Sequence, residues 1–194
     1  MPVQTFYNRH QFAPSVALER NLARAFTRRH YAANALLARP DEPTDRLYFV
    51  EEGAIQSFYI DQADDEITFA STAESEVIIM PLGLFGSGSQ SADYLRAVEP
   101  LTVLELPYAE LRKLQQTHHD FALLSLQLTE EALCRYEERA RMLHNPDPDY
   151  RYSWFLSRHK TLAGRLKVQD IASYLGMSRF TLSRLRSQFA RNGE

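Results

Sequence analysis

The spacing of apolar residues changes twice along this chain, from helical to alternating and back to helical. Over residues 15–30 it is helical, with Leu18, Leu22, Ala25 and Phe26 on one stripe. From about residue 35 to residue 107 the texture is of short β-rich runs broken by turn residues. Residues 47–50 and 54–60 are predicted to form a hairpin, with Gly53 supplying the turn. Residues 61–66 then make a polar turn, residues 67–70 a further strand, and residues 76–80 and 101–106 continue the spacing. Many short strands at such intervals predict a small antiparallel barrel or jelly roll.

After Pro107 a short helix over residues 108–116 precedes a longer one that opens at Asp120. Residues 121–128 are apolar nearly all round, which predicts burial on more than one side. Leu126, Thr129, Leu133, Tyr136, Ala140 and Leu143 then recur at intervals of three and four. Such a seam suits pairing with a second copy of the same helix. Glu131 with Arg135, and Glu137 with Arg141, are spaced to pair on the wet face. The prolines at 146 and 148 end this helix and mark a hinge, after which Asp149 can cap a helix carrying Tyr152, Phe155 and Leu156.

The most informative stretch is residues 168–189. Ile171, Ala172 and Leu175 face inward from a first helix. Gly176 stands where the chain must turn, Met177 packs beneath that turn, and Ser178 is a natural N-cap for a second helix. Leu182, Leu185 and Phe189 form the buried stripe of that second helix. Its outward positions are Arg179, Phe180, Thr181, Ser183, Arg184, Arg186 and Ser187. A helix with its back packed and a front of guanidinium and hydroxyl groups suits the DNA major groove. Arginine there bonds both guanine acceptors, hydroxyls reach bases or phosphates, and an apolar edge meets the thymine methyl.

Charge points the same way. The net charge of -3 conceals nine Lys/Arg against two acids from Tyr150 onward, on a body that is correspondingly acidic. A basic head on an acidic body is the arrangement expected of a polyanion binder. Other chemistries find little support. The lone Cys134 excludes an intramolecular disulfide and a cysteine-only cluster. The six histidines fall outside the predicted strands, so a metal-dependent barrel enzyme is not expected, and no nucleophile–base pair stands out. The start of the chain lacks the basic-then-apolar pattern of a signal peptide, and no apolar run reaches the roughly 20 residues needed to span a bilayer. A cytoplasmic protein with no cofactor and no enzymatic activity is expected.

The order of barrel, long helix, hinge and helix-turn-helix resembles the CRP/FNR family. The resemblance is carried by Tyr48-Phe-Val-Glu-Glu-Gly53, Leu82-Gly-Leu-Phe85, Arg96-Ala97 and, above all, the run from Ile171 to Arg184; residues 151–156 resemble a subgroup of the family. It implies an α+β fold: a cyclic-nucleotide-binding-like effector domain over residues 1–119, a dimerisation helix and hinge over 120–145, and a helix-turn-helix DNA-binding domain over 146–194. It further implies a homodimer held through Leu126, Leu133, Tyr136, Ala140 and Leu143. That dimer would read a palindromic operator in double-stranded DNA, with RNA polymerase as a further partner. The DNA contacts would come from Ser178, Arg179, Phe180, Thr181, Ser183, Arg184 and Arg186, with Arg179 and Arg184 matching the family's base- and phosphate-contacting arginines.

The chain also departs from the family pattern. Phe180 replaces an acidic residue that reads cytosine in the founding member, so a different half-site is expected. The family's β-hairpin wing is expected to be short or missing, which would leave its phosphate contacts to Lys160, Arg165 or Lys167. Met80-Pro81 stands where a glycine and a ribose-binding glutamate would be, and Ser91 where a phosphate-binding arginine would be. An unpaired buried phosphate is costly, so cyclic AMP is expected to bind poorly or not at all. Ser87, Ser89, Ser91 and Arg96 are left as candidates for a residual pocket whose effector is unidentified. The alternative is a regulator dependent on a cyclic nucleotide or other small molecule through an atypical pocket.

Overall fold

The computed structural model describes residues 2–40, 42, 45–80 and 92–192. Two short helices open the chain, α1 (Pro2–Arg9) and α2 (Val16–Ala25). Ser15 caps α2, its hydroxyl oxygen accepting from the Leu18 N–H at 3.2 Å, and Leu18 and Leu22 are buried. The helical pattern was expected to run to residue 30, but α2 stops at Ala25 and Thr27–Tyr31 is the strand β1. Its side chains are largely exposed, so no alternation betrays it; pairing along β8 sets its conformation instead.

Seven strands follow: β2 (Leu36–Ala38), β3 (Arg46–Glu52), β4 (Ile55–Ile60), β5 (Glu66–Thr72), β6 (Val77–Ile78), β7 (Asp93–Ala97) and β8 (Leu101–Pro107). They form two four-stranded antiparallel sheets, ordered β1-β8-β3-β6 and β2-β7-β4-β5. Tyr48, Val50, Ile55, Leu95, Ala97 and Val103 pack in the core between the sheets. The predicted hairpin over residues 47–60 is therefore not one, because β3 and β4 belong to different sheets. Gly53 is the corner where the chain crosses between them, at φ +92°, and a Cβ there would lie 2.6 Å from the Pro100 carbonyl oxygen. The polar turn after Ile60 does close a hairpin, β4 to β5, with Asp64 at φ 63°.

Helix α3 (Tyr108–Thr117) and the start of α4 (His119–His144) pack with α1 and α2 over β3 and β8. Phe121 and Leu124 are buried there, but Leu123 and Leu126 are exposed, so within one chain α4 is covered on one side rather than several. Three further helices, α5 (Pro148–Arg158), α6 (Val168–Tyr174) and α7 (Arg179–Asn192), form the C-terminal head. Asp147, not Asp149, caps α5, accepting from the Asp149 N–H at 3.0 Å. That shift suits Pro148, which fits the first helical position because it has no N–H to satisfy. The core of the head (Met142, Phe155, Ile171, Leu175, Leu182, Leu185) continues onto Ala54 and Ala73 of the barrel.

Candidate nucleic-acid interface

The two-helix unit is built as its local sequence dictates. Gly176 takes φ +60° just beyond α6, and the Met177 N–H closes the turn on the Ala172 carbonyl at 3.0 Å. The Ser178 hydroxyl accepts from the Thr181 N–H at 3.1 Å and so starts α7. Leu182 and Leu185 are fully buried, and Phe189 meets Tyr152 edge-on at 5.2 Å.

The opposite side of α7 is open. Ser178, Arg179, Phe180, Ser183, Arg184 and Ser187 are exposed, with Thr181 and Arg186 half-buried at its edge. Arg191, which was not singled out from sequence, extends this face by one turn and bonds the Ser187 carbonyl at 3.1 Å. Among the described residues none of Arg179, Arg184, Arg186 and Arg191 enters an ion pair. Four guanidinium groups that meet no carboxylate among the described residues can neutralise a polyanion without first losing such a partner.

Helix α6 is the contrast, because the barrel covers its polar face. The Ser173 hydroxyl donates to the Glu66 carbonyl at 3.0 Å and accepts from the Thr68 N–H at 2.9 Å. Beside it Asp170 is buried and hydrogen-bonded to Gln56, which also donates to the Thr68 hydroxyl at 2.8 Å. Burial pushes the Asp170 carboxyl above its ordinary value, against the pull of Lys167 and Gln56. Arg139 of α4 completes the junction. It donates to the Thr68 and Tyr174 carbonyls at 3.4 and 3.3 Å and lies over the Tyr174 ring at 4.7 Å.

The three cations expected to replace a wing divide accordingly. Lys160 is exposed. Lys167 reaches toward Asn34 of the barrel at 3.4 Å. Arg165 is committed within the chain, holding Glu74 bidentately at 2.9 and 2.7 Å while also bonding Glu99. Its two acids come from loops distant in sequence, which is why its engagement could not be foreseen.

Arg96 lies outside the barrel interior. Leu95 and Ala97 point into the core, so Arg96 takes the outer face beneath α6, where it bonds Glu66 at 2.8 Å and covers the Phe58 ring at 4.1 Å. Phe58 stacks in turn on Tyr94 at 5.0 Å. This guanidinium is already committed, so it does not line a pocket inside the barrel. Ser87, Ser89 and Ser91, with the Leu82–Phe85 stretch and Pro81, lie outside the described residues. Met80 is buried against the barrel core.

On α4, Leu126, Leu133, Tyr136 and Ala140 are exposed, and Leu133 is 69% so. Leu143 differs, packing half-buried against the core of the head next to Gly176, so the open seam stops one turn earlier than its spacing suggests. Glu137 pairs with Arg141 as expected, whereas Glu131 turns to His10 at 3.3 Å instead of Arg135. Among the described residues there is no cluster of metal-binding side chains, and no helix is long and apolar enough to cross a membrane.

Residues 28–118 match the cyclic nucleotide-binding domain family. The global nitrogen regulator of Synechocystis sp. is 27% identical over 157 residues, which is 75% of this chain and 70% of that protein. Among solved structures, FixK2 from Bradyrhizobium japonicum shares the fold with a TM-score of 0.75 at 23% identity, over 87% of this chain and 86% of that one. The c-di-GMP-responsive regulator CLP of Xanthomonas campestris shares it at 0.71 and 21% identity, over 92% and 93%. The Synechocystis and Xanthomonas proteins are named as global regulators. Residues 28–118 thus form a domain of the cyclic nucleotide-binding family, and over most of its length the chain, with its long helix and C-terminal helix-turn-helix, is similar to regulators of the CRP/FNR kind.

Proposed function

We propose that this chain is a homodimeric, sequence-specific regulator that reads a palindromic operator in double-stranded DNA through α7, without need of cyclic AMP. The observation that carries this reading is the open face of α7, where four arginines form no ion pair among the described residues, over a fully buried Leu182–Leu185 back. Ser178, Arg179, Phe180, Thr181, Ser183, Arg184 and Arg186 are its DNA contacts, and Lys167 at the start of α6 reaches the phosphates once it leaves Asn34. The exposed stripe Leu126, Leu133, Tyr136 and Ala140 is more apolar surface than a lone helix leaves in water, and a second copy of α4 covers it. Residues 1–119 then form the effector-like domain, 120–145 the dimer helix and hinge, and 146–194 the DNA-binding head. Such a regulator works in the cytoplasm beside RNA polymerase. Independence from cyclic AMP rests on Pro81 and Ser91 standing where the ribose-binding glutamate and the phosphate-binding arginine would be.

A second reading, dependence on a different small molecule, draws on the nucleotide-binding match over residues 28–118 and on the c-di-GMP-responsive neighbour. Selection from random duplex DNA, run without nucleotide and with cyclic AMP or cyclic di-GMP, separates the two. Enrichment of one palindrome in every arm supports the proposal; enrichment only with a nucleotide supports the second reading. Sedimentation of Leu133→Glu tests the dimer. It is expected to shift the protein to a monomer, and an unchanged dimer would reject α4 as the seam.

A further inference from the structure

Phe180 is the second residue of α7 and is 78% exposed, more than Val16 or Leu133, the next most exposed large apolar side chains among the described residues. The fold does not require it there. Ser178 already caps the helix, and Leu182 and Leu185 already supply its buried face. At 100° per residue, Phe180 falls on the side of α7 opposite Leu182, Leu185 and Phe189, together with Arg184, Ser187 and Arg191. The ring thus stands at the N-terminal end of the open face, the part of a recognition helix that meets base edges. Its neighbour Arg179 lays its guanidinium 5.6 Å from the ring centroid.

A phenyl ring offers no hydrogen bond, so its selectivity depends on which base edge gains from apolar contact. In the major groove the one apolar group is the C5-methyl of thymine. Cytosine at the same place presents an amine, which the ring would strip of water and leave unpaired. We propose that Phe180 is a specificity-determining residue that reads a thymine methyl, while Arg179, held alongside the ring, reads a guanine on a neighbouring base pair. The inference rests on the reading of α7 as the DNA-contacting helix.

The test starts from the duplex that wild-type protein selects. Each thymine of the half-site is replaced in turn by deoxyuridine, which keeps every hydrogen bond and removes only the methyl group, and affinity is followed by fluorescence anisotropy. One position is expected to weaken binding by about fourfold, and by about 15-fold when both half-sites are changed together. Phe180→Ala, with the melting temperature of the wild type because the ring is exposed, is expected to bind thymine and uracil duplexes equally at that position. Phe180→Glu, which places an acceptor there, is expected to enrich cytosine in place of thymine. Indifference of the wild type to uracil at every position would overturn the assignment and leave DNA reading intact. So would a Phe180→Ala variant that still discriminates. Failure to enrich any sequence in every arm, with and without nucleotide, would remove α7 as the reading helix, and the assignment with it.

Discussion

Arg165 ties the head to the barrel, and replacing it by Met keeps the stem while deleting the charge. The guanidinium holds both oxygens of Glu74 and also bonds Glu99, and the Glu74 hydrogen bonds raise its pKa against the effect of burial. Burial would push the Glu74 carboxyl up, but Arg165 and the Gly53 N–H outweigh it and hold it below the ordinary value. The three side chains are 23%, 38% and 34% exposed. An exposed pair contributes under about 1 kcal/mol, and a buried charge-assisted bond about 1.5–3 kcal/mol. With carboxylates a third or more in water, the screened value lies between, so Arg165→Met is expected to cost about 1–2 kcal/mol. In a chain of this size that lowers the melting temperature by about 4 °C. Because the folded pKa of Glu74 is depressed, its contribution is complete above the ordinary carboxylate value, about 4.3, and is lost as pH falls through the folded one. The gap between wild type and Arg165→Met should therefore stay constant at neutral pH and close in acid. Thermal melts of Arg165→Met, Glu74→Gln and the double variant form a cycle, with a coupling of at least about 0.5 kcal/mol expected. Additive single effects, or a melting temperature within about 1 °C of wild type, would mean that Arg165 is a solvated charge and that apolar burial alone holds the head.

Gly53→Ala places a Cβ 2.6 Å from the Pro100 carbonyl at a φ of +92°, and a backbone atom cannot swing aside. The cost expected in urea unfolding is about 2–4 kcal/mol. Ser178→Ala removes the acceptor for the Thr181 N–H and should cost about 1 kcal/mol, whereas Ser178→Gly should cost only a few tenths; equal losses would deny the cap its role. Burial raises the Asp170 carboxyl, so its charged form costs stability near neutrality and that cost is relieved as pH falls through the folded value. Asp170→Asn is therefore expected to melt no lower than wild type at pH about 7 and to lose that relief in acid, as read by melting across pH.

What the sequence disclosed, and what it did not, divides by the distance between partners. Gly176, Ser178 and the Leu182–Leu185 stripe lie within one short run and fix their structure locally, so the helix-turn-helix was legible in full. The crossing at Gly53 was misread as a hairpin because a short connection between two strands looks the same whether they pair or part; the Pro100 carbonyl, distant in sequence, decides it. The partners of Arg96 and Arg165 lie 30 and 66 to 91 residues away, so both read as free cations when both are committed. Periodicity identifies which side chains leave a helix's core, but not where they go. Asp170 and Ser173 leave the core of the head as surely as Arg179 and Arg184, and in sequence the polar faces of α6 and α7 look equivalent. The barrel distinguishes them. Gln56, Thr68 and Glu66 satisfy the polar face of α6 and remove it from solvent, while no carboxylate among the described residues pairs with the arginines of α7. Covering α6 leaves α7 as the helix of the pair whose polar side meets no carboxylate among the described residues, and its row of guanidinium groups fits a polyanion.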